Sequence, residues 1–66
     1  METVDNATPL LRSKDRAVDL IYSPDDGGYY LHDYDLARET DRVSVRVWRK
    51  RQDAERDFKI GNVAWE

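Results

Sequence analysis

His32-Asp33-Tyr34-Asp35 sets the one histidine of this 66-residue chain beside two carboxylates, with Asp25 and Asp26 a few residues upstream. An imidazole among carboxylates is the raw material of a metal site or of a general base. Alternation along a strand argues against a shared centre, because His32 and Asp33 then point to opposite faces. One histidine with scattered aspartates is a poor set for a transition metal, and Asp25-Asp26 lacks the ligand spacing of a calcium loop. Nucleophilic catalysis needs Ser13, Ser23 or Ser44 beside His32 with a carboxylate behind it, and no spacing suggests that. Among fourteen carboxylates some pair at glycosidase separation can always be found, so such a pair discriminates nothing. The expectation is a non-enzyme with no metal and no cofactor.

What remains is surface chemistry. The net charge of −3 is mild, but it is unevenly spread. From Asp15 to Asp41 there are eight acids against Arg16 and Arg38, and from Arg42 to Arg51 there are five bases and no acid. Two binding surfaces follow. In the first, Asp25, Asp26, Asp33 and Asp35 meet the Lys and Arg of a basic protein partner, standing in for a phosphate backbone. Tyr30, His32 and Tyr34 anchor that contact. In the alternative, Arg42, Arg46, Arg49, Lys50 and Arg51 neutralise phosphates while Trp48 stacks on a base. The plain readings are solubilising charge, cross-strand tyrosine pairs, and arginines paired to the acids of the adjacent hairpin. Eight acids beside the basic run weaken the nucleic-acid case, because they repel the same phosphates.

The element that must position these groups is a hairpin over Ala17–Asp35. Val18, Leu20, Ile21 and Tyr22 suit a strand, and Pro24 stops it. Pro24-Asp25-Asp26-Gly27-Gly28 supplies a preset φ, side-chain acceptors and freedom for positive φ, so a type I turn with a glycine bulge is expected. On the return strand Tyr30, His32 and Tyr34 share one face, and Tyr29, Leu31 and Asp33 the other. Leu36–Asp41 reads as a connection or one helical turn. Arg42–Trp48 alternates strictly and predicts the strongest strand, with Val43, Val45 and Val47 facing the core and Arg42, Ser44, Arg46 and Trp48 outward. Gln52–Lys59 predicts a short helix with Ala54 and Phe58 inward, a Glu55–Lys59 pair and Gly61 as its stop. Pro9-Leu10-Leu11 is expected to pack over the sheet edge or open a helical turn. Val63-Ala64-Trp65 adds a last strand or caps the core.

These elements predict a single α+β domain over 1–66: a three- or four-stranded antiparallel sheet with one short helix packed on one face, and residues 1–8 flexible. A chain this short buries about 60% of its unfolded surface, and without cysteine no disulfide or Cys-based zinc site reinforces it. Apolar runs of two or three residues exclude a spanning helix, and Met1–Asp5 lacks the basic and apolar regions of a signal peptide. A soluble cytoplasmic protein, monomer or homodimer, is expected.

In length, acid-rich and cysteine-free composition, the tight hairpin GGYYLHDYD and the short helix ending in IGNVAWE, the chain resembles small accessory proteins of bacteriophages and mobile elements. Several of these are anti-CRISPR or other anti-defence inhibitors. The resemblance implies an inhibitor that binds a nucleic-acid-handling complex in a bacterial host, sometimes as a DNA mimic.

Overall fold

A computed structural model describes residues 7–66. Its elements are β1 (Ala7–Arg12), β2 (Arg16–Ser23), β3 (Gly28–Asp35), β4 (Thr40–Val43) and α1 (Arg51–Ile60). The strands form one antiparallel sheet in the order β1-β2-β3-β4, so the domain is α+β. Of the segment expected to be flexible, 1–6 lies outside the described residues, whereas Ala7 and Thr8 belong to β1.

The β2–β3 hairpin forms where the turn chemistry places it. Ser23 pairs with Gly28 at its end, and the Asp26 and Gly27 N–H groups donate to the Ser23 carbonyl at 3.2 and 2.9 Å. Gly27 takes φ +67°, the conformation a side chain resists. Gly28 is needed for a different reason: a Cβ there would sit 2.5 Å from the Trp48 carbonyl oxygen. Within the hairpin the alternation is as expected, with Val18, Leu20 and Leu31 in the core.

β1 is an edge strand. Pro9, which has no N–H to offer, sits on it. A register shift between Pro9 and Leu11 lets the consecutive Leu10 and Leu11 both pack against the core, which strict alternation forbids.

The segment Arg42–Trp48 departs from expectation. Regular pairing ends at Val43; beyond it Trp48 returns to β3 through a single bridge to Tyr29, and Ser44 bridges to Trp65 outside the sheet. The faces are also inverted: Val45 is 64% and Val47 39% exposed, while Trp48 is 2% exposed and Ser44 is buried. Ser44 shows why. Its N–H donates to the Leu31 carbonyl, its Oγ accepts the Leu31 N–H at 3.0 Å, and its hydroxyl donates to the Arg46 carbonyl at 2.9 Å. That bends the chain, and two extra residues are accommodated before Trp48 pairs with Tyr29. An indole buries more apolar area than any valine, and its Nε1–H finds a buried acceptor in Asp57 at 2.8 Å.

Helix α1 is one residue longer at each end than expected, with Ala54 buried and Phe58 packed against the core. Glu55 pairs with Arg51 at 2.7 Å rather than with Lys59. Gly61 ends the helix at φ 76°, its N–H and that of Asn62 capping the carbonyls of Phe58 and Asp57. Beyond it, Trp65 makes a single bridge to Ser44 rather than a strand and packs against the core, so the last segment caps the core as one of its two expected roles has it. Among the described residues no helix is long and apolar enough to cross a membrane.

Candidate functional site

The core-side and open faces of the sheet part the groups that the sequence places together. Val18, Leu20, Leu31 and Asp33 point to the core side, whereas Asp19, Ile21, Tyr30, His32 and Tyr34 point to the other, here called the open face.

Asp33 therefore leaves the candidate binding set. It is 4% exposed, against an expected place at a partner contact. Arg16 donates to it through Nε and Nη2 at 3.0 and 3.2 Å, and Arg42 through Nε at 2.9 Å. Burial pushes this carboxyl up, but the arginine hydrogen bonds and charges outweigh it and hold the pKa below its ordinary 3.8. Asp33 is a clamp that joins β2 to β4 across β3.

The other members fall in three places. Asp25 and Asp26 are exposed at the turn, where the Ser23 hydroxyl donates to Asp26 at 3.0 Å. Asp35 lies at the opposite end of β3, roughly 25 Å away at about 3.3 Å per residue, and accepts the Arg38 N–H at 3.1 Å. Tyr30, His32 and Tyr34 do come together on the open face. The His32 and Tyr34 rings lie 4.6 Å apart, and His32 Nε2 is 2.7 Å from Asp41 Oδ2. On the β1 side of the same face Arg12 reaches Asp19 at 2.5 Å.

The basic set is dispersed in the same way. Trp48 is enclosed and has no free face for a base. Arg42 is held by Asp33, with its guanidinium 4.8 Å from the Trp65 ring centroid. Arg46 lies over Trp48 and reaches Asp57 at 3.3 Å. Arg51 is paired with Glu55, which leaves Arg49 and Lys50 of this set as exposed cations with no ion pair among the described residues. They border an open depression of about 520 Å³ with Tyr29, Gln52 and Glu55.

Folding thus neutralises much of the charge segregation in the sequence, because Arg12 and Arg42 from outside the acidic segment pair with Asp19 and Asp33 inside it. Asp57, missed from the sequence, is 5% exposed and ties the Arg46–Trp48 segment to α1. Its signal was an acid on the same helical stripe as Ala54 and Phe58. The serine hydroxyls of Ser13, Ser23 and Ser44 bond to backbone carbonyls or to Asp26, with no imidazole beside them. No group of three or more metal-ligating side chains occurs among the described residues. Compared with protein-family models, curated proteins and solved structures, the chain finds no match.

Proposed function

We propose that the protein is a non-catalytic protein-binding module that works through the open face of its sheet. In this reading α1 covers the Leu20–Leu31 face, which leaves Tyr30, His32 and Tyr34 as the recognition row. The observation that carries it is that row: three adjacent rings in a single line, with Tyr34 43% exposed. Aromatic side chains with a polar tip are favoured anchors of protein interfaces. Among the described residues, Asp25 and Asp26 at the turn and Asp15 and Glu39 at the far end have no ion pair; they flank the row and suit a partner rich in Lys and Arg. In its finer form the module is a phage-type inhibitor of a nucleic-acid-handling complex in the bacterial cytoplasm. Arg49 and Lys50 supply the one feature that favours the alternative of direct nucleic-acid binding.

The test is DNA cleavage by a purified CRISPR effector nuclease with increasing protein, alongside fluorescence anisotropy of short DNA and RNA. The expected result is dose-dependent inhibition by the wild type and its loss in a folded Tyr34→Arg variant, with no nucleic-acid binding at physiological salt. Unaffected cleavage together with tight, steeply salt-dependent binding of the probes would overturn the reading.

A further inference from the structure

We infer that the open face is self-complementary and receives a second copy of this chain, the two sheets packing face to face about a twofold axis that runs parallel to the strands between β2 and β3. This rests on the open face being a protein-docking surface, and it names the occupant.

Register carries the argument. Arg12 is opposite Ala17, Ala17 opposite Tyr34, and Tyr34 opposite Asp41, so these four form one row across the four strands. The next open-face row runs Pro9, Asp19, His32, Val43. A twofold axis along the strands sets β1 of one copy over β4 of the other, and β2 over β3, with each row kept at its own height. In the first row Arg12 then faces the second copy's aspartate at position 41, and the small Ala17 faces the projecting tyrosine at position 34. In the second row Asp19 faces a histidine and Pro9 faces a valine. The internal pairs Arg12–Asp19 and His32–Asp41 lie side by side with opposite polarity, so each closes a four-membered network of alternating groups with the pair facing it. The axis occurs once through the face, so every contact occurs twice.

The other in-plane twofold, perpendicular to the strands, gives no such match. It lays the Arg12 row over the row of Ala7, Ile21 and Tyr30, and no charge meets its opposite. The strand-parallel axis also gives the aligned packing usual for two sheets about 10 Å apart. The strands have six, eight, eight and four residues, so the face measures roughly 20 Å by 20 Å. Doubling this and allowing for surface relief gives on the order of 1,000 Å², the lower bound of a specific interface, so the dimer is a weak one.

The experiment is sedimentation equilibrium of the full chain, from about 10 μM to about 1 mM, the range in which an interface of this size dissociates. Four samples are compared: wild type, Arg12→Glu, Asp41→Arg, and an equimolar mixture of the two variants, with circular dichroism confirming that each is folded. In either variant homodimer the two crossing contacts become like-charged, and each should dissociate about tenfold to a hundredfold more readily than wild type. In the mixed dimer both contacts join opposite charges again, and association should return toward the wild-type value. A wild type that stays monomeric overturns the proposal, as does a variant that dimerises like wild type or a mixture that fails to recover. A monomeric wild type that still inhibits the nuclease would leave the docking reading standing, and a dimer without inhibition would remove only the inhibitor form of it.

Discussion

Replacing Asp33 by Asn keeps the shape of the side chain and removes its charge, which tests the clamp between β2 and β4. Three hydrogen bonds at 2.9–3.2 Å converge on a carboxylate that is 4% exposed. Hydrogen bonds to charged groups contribute about 1.5–3 kcal/mol each, and breaking a fully buried pair costs about 3–5 kcal/mol. Here both guanidiniums are nearly half exposed, at 42% and 48%, and regain water when released. The expected loss is therefore about 2–3 kcal/mol at neutral pH. A domain of 66 residues has about 3–10 kcal/mol in total, so the midpoint of thermal unfolding should fall by about 10–20 °C. The pH dependence has a definite sign. The native carboxyl is held below its ordinary 3.8, so its stabilisation is complete above that value and disappears as pH falls through it toward the lower native value. Melting curves of wild type and Asp33→Asn by circular dichroism, from pH 7 down to pH 2, should differ most at neutral pH and converge in acid. Equal midpoints at pH 7, or a gap that persists unchanged at pH 2, would refute the clamp.

Two further outcomes follow from the packing. Gly28→Ala puts a methyl group 2.5 Å from the Trp48 carbonyl oxygen and 2.7 Å from Val47 Cγ1, so the bridge must move; a loss of about 1–3 kcal/mol in urea unfolding is expected, against a few tenths if the backbones separate freely. Val45→Thr should change stability by less than about 0.5 kcal/mol because Val45 is 64% exposed, whereas Trp48→Ala should cost about 3–5 kcal/mol or unfold the chain; the same denaturation curves would expose an inward-facing valine by reversing that order.

The hairpin was legible because its determinants are local. Pro24, two aspartates and two glycines specify a turn whatever the rest of the chain does, and the alternation of Leu31 and Tyr30 then follows. Over Arg42–Trp48, period-two alternation says which residues share a face but not which face goes inward. Three valines and one tryptophan offered opposite answers. Asp57, twelve residues downstream of Val45, decides between them by accepting the indole N–H. The candidate surface was legible only in part for the same reason. Tyr30, His32 and Tyr34 share a face by local alternation, but the place of Asp41 and Arg12 beside them depends on strand order and on the shift at Leu10.

The carboxylates divide by face, and so do their consequences. On the core side Asp33 and Asp57 each bind two elements together: β2 to β4 in one case, the Arg46–Trp48 segment to α1 in the other. A cysteine-free chain of this length has a small core, so these clamps supply part of the cohesion that disulfides give other domains of similar size. On the other face Asp19 and Asp41 pair with Arg12 and His32, each pair having one partner about half exposed and the other a quarter exposed or less, so in the proposed docking these pairs bear on the choice of partner. Acid should therefore attack the fold through the core side, whereas moderate salt should attack association through the open face while the fold persists. Because Asp33 points away from the face that carries Asp19 and Asp41, and Asp57 lies on α1, a substitution in one set can be read apart from the other. That separation is what allows Arg12→Glu and Asp41→Arg to report on docking and Asp33→Asn to report on stability.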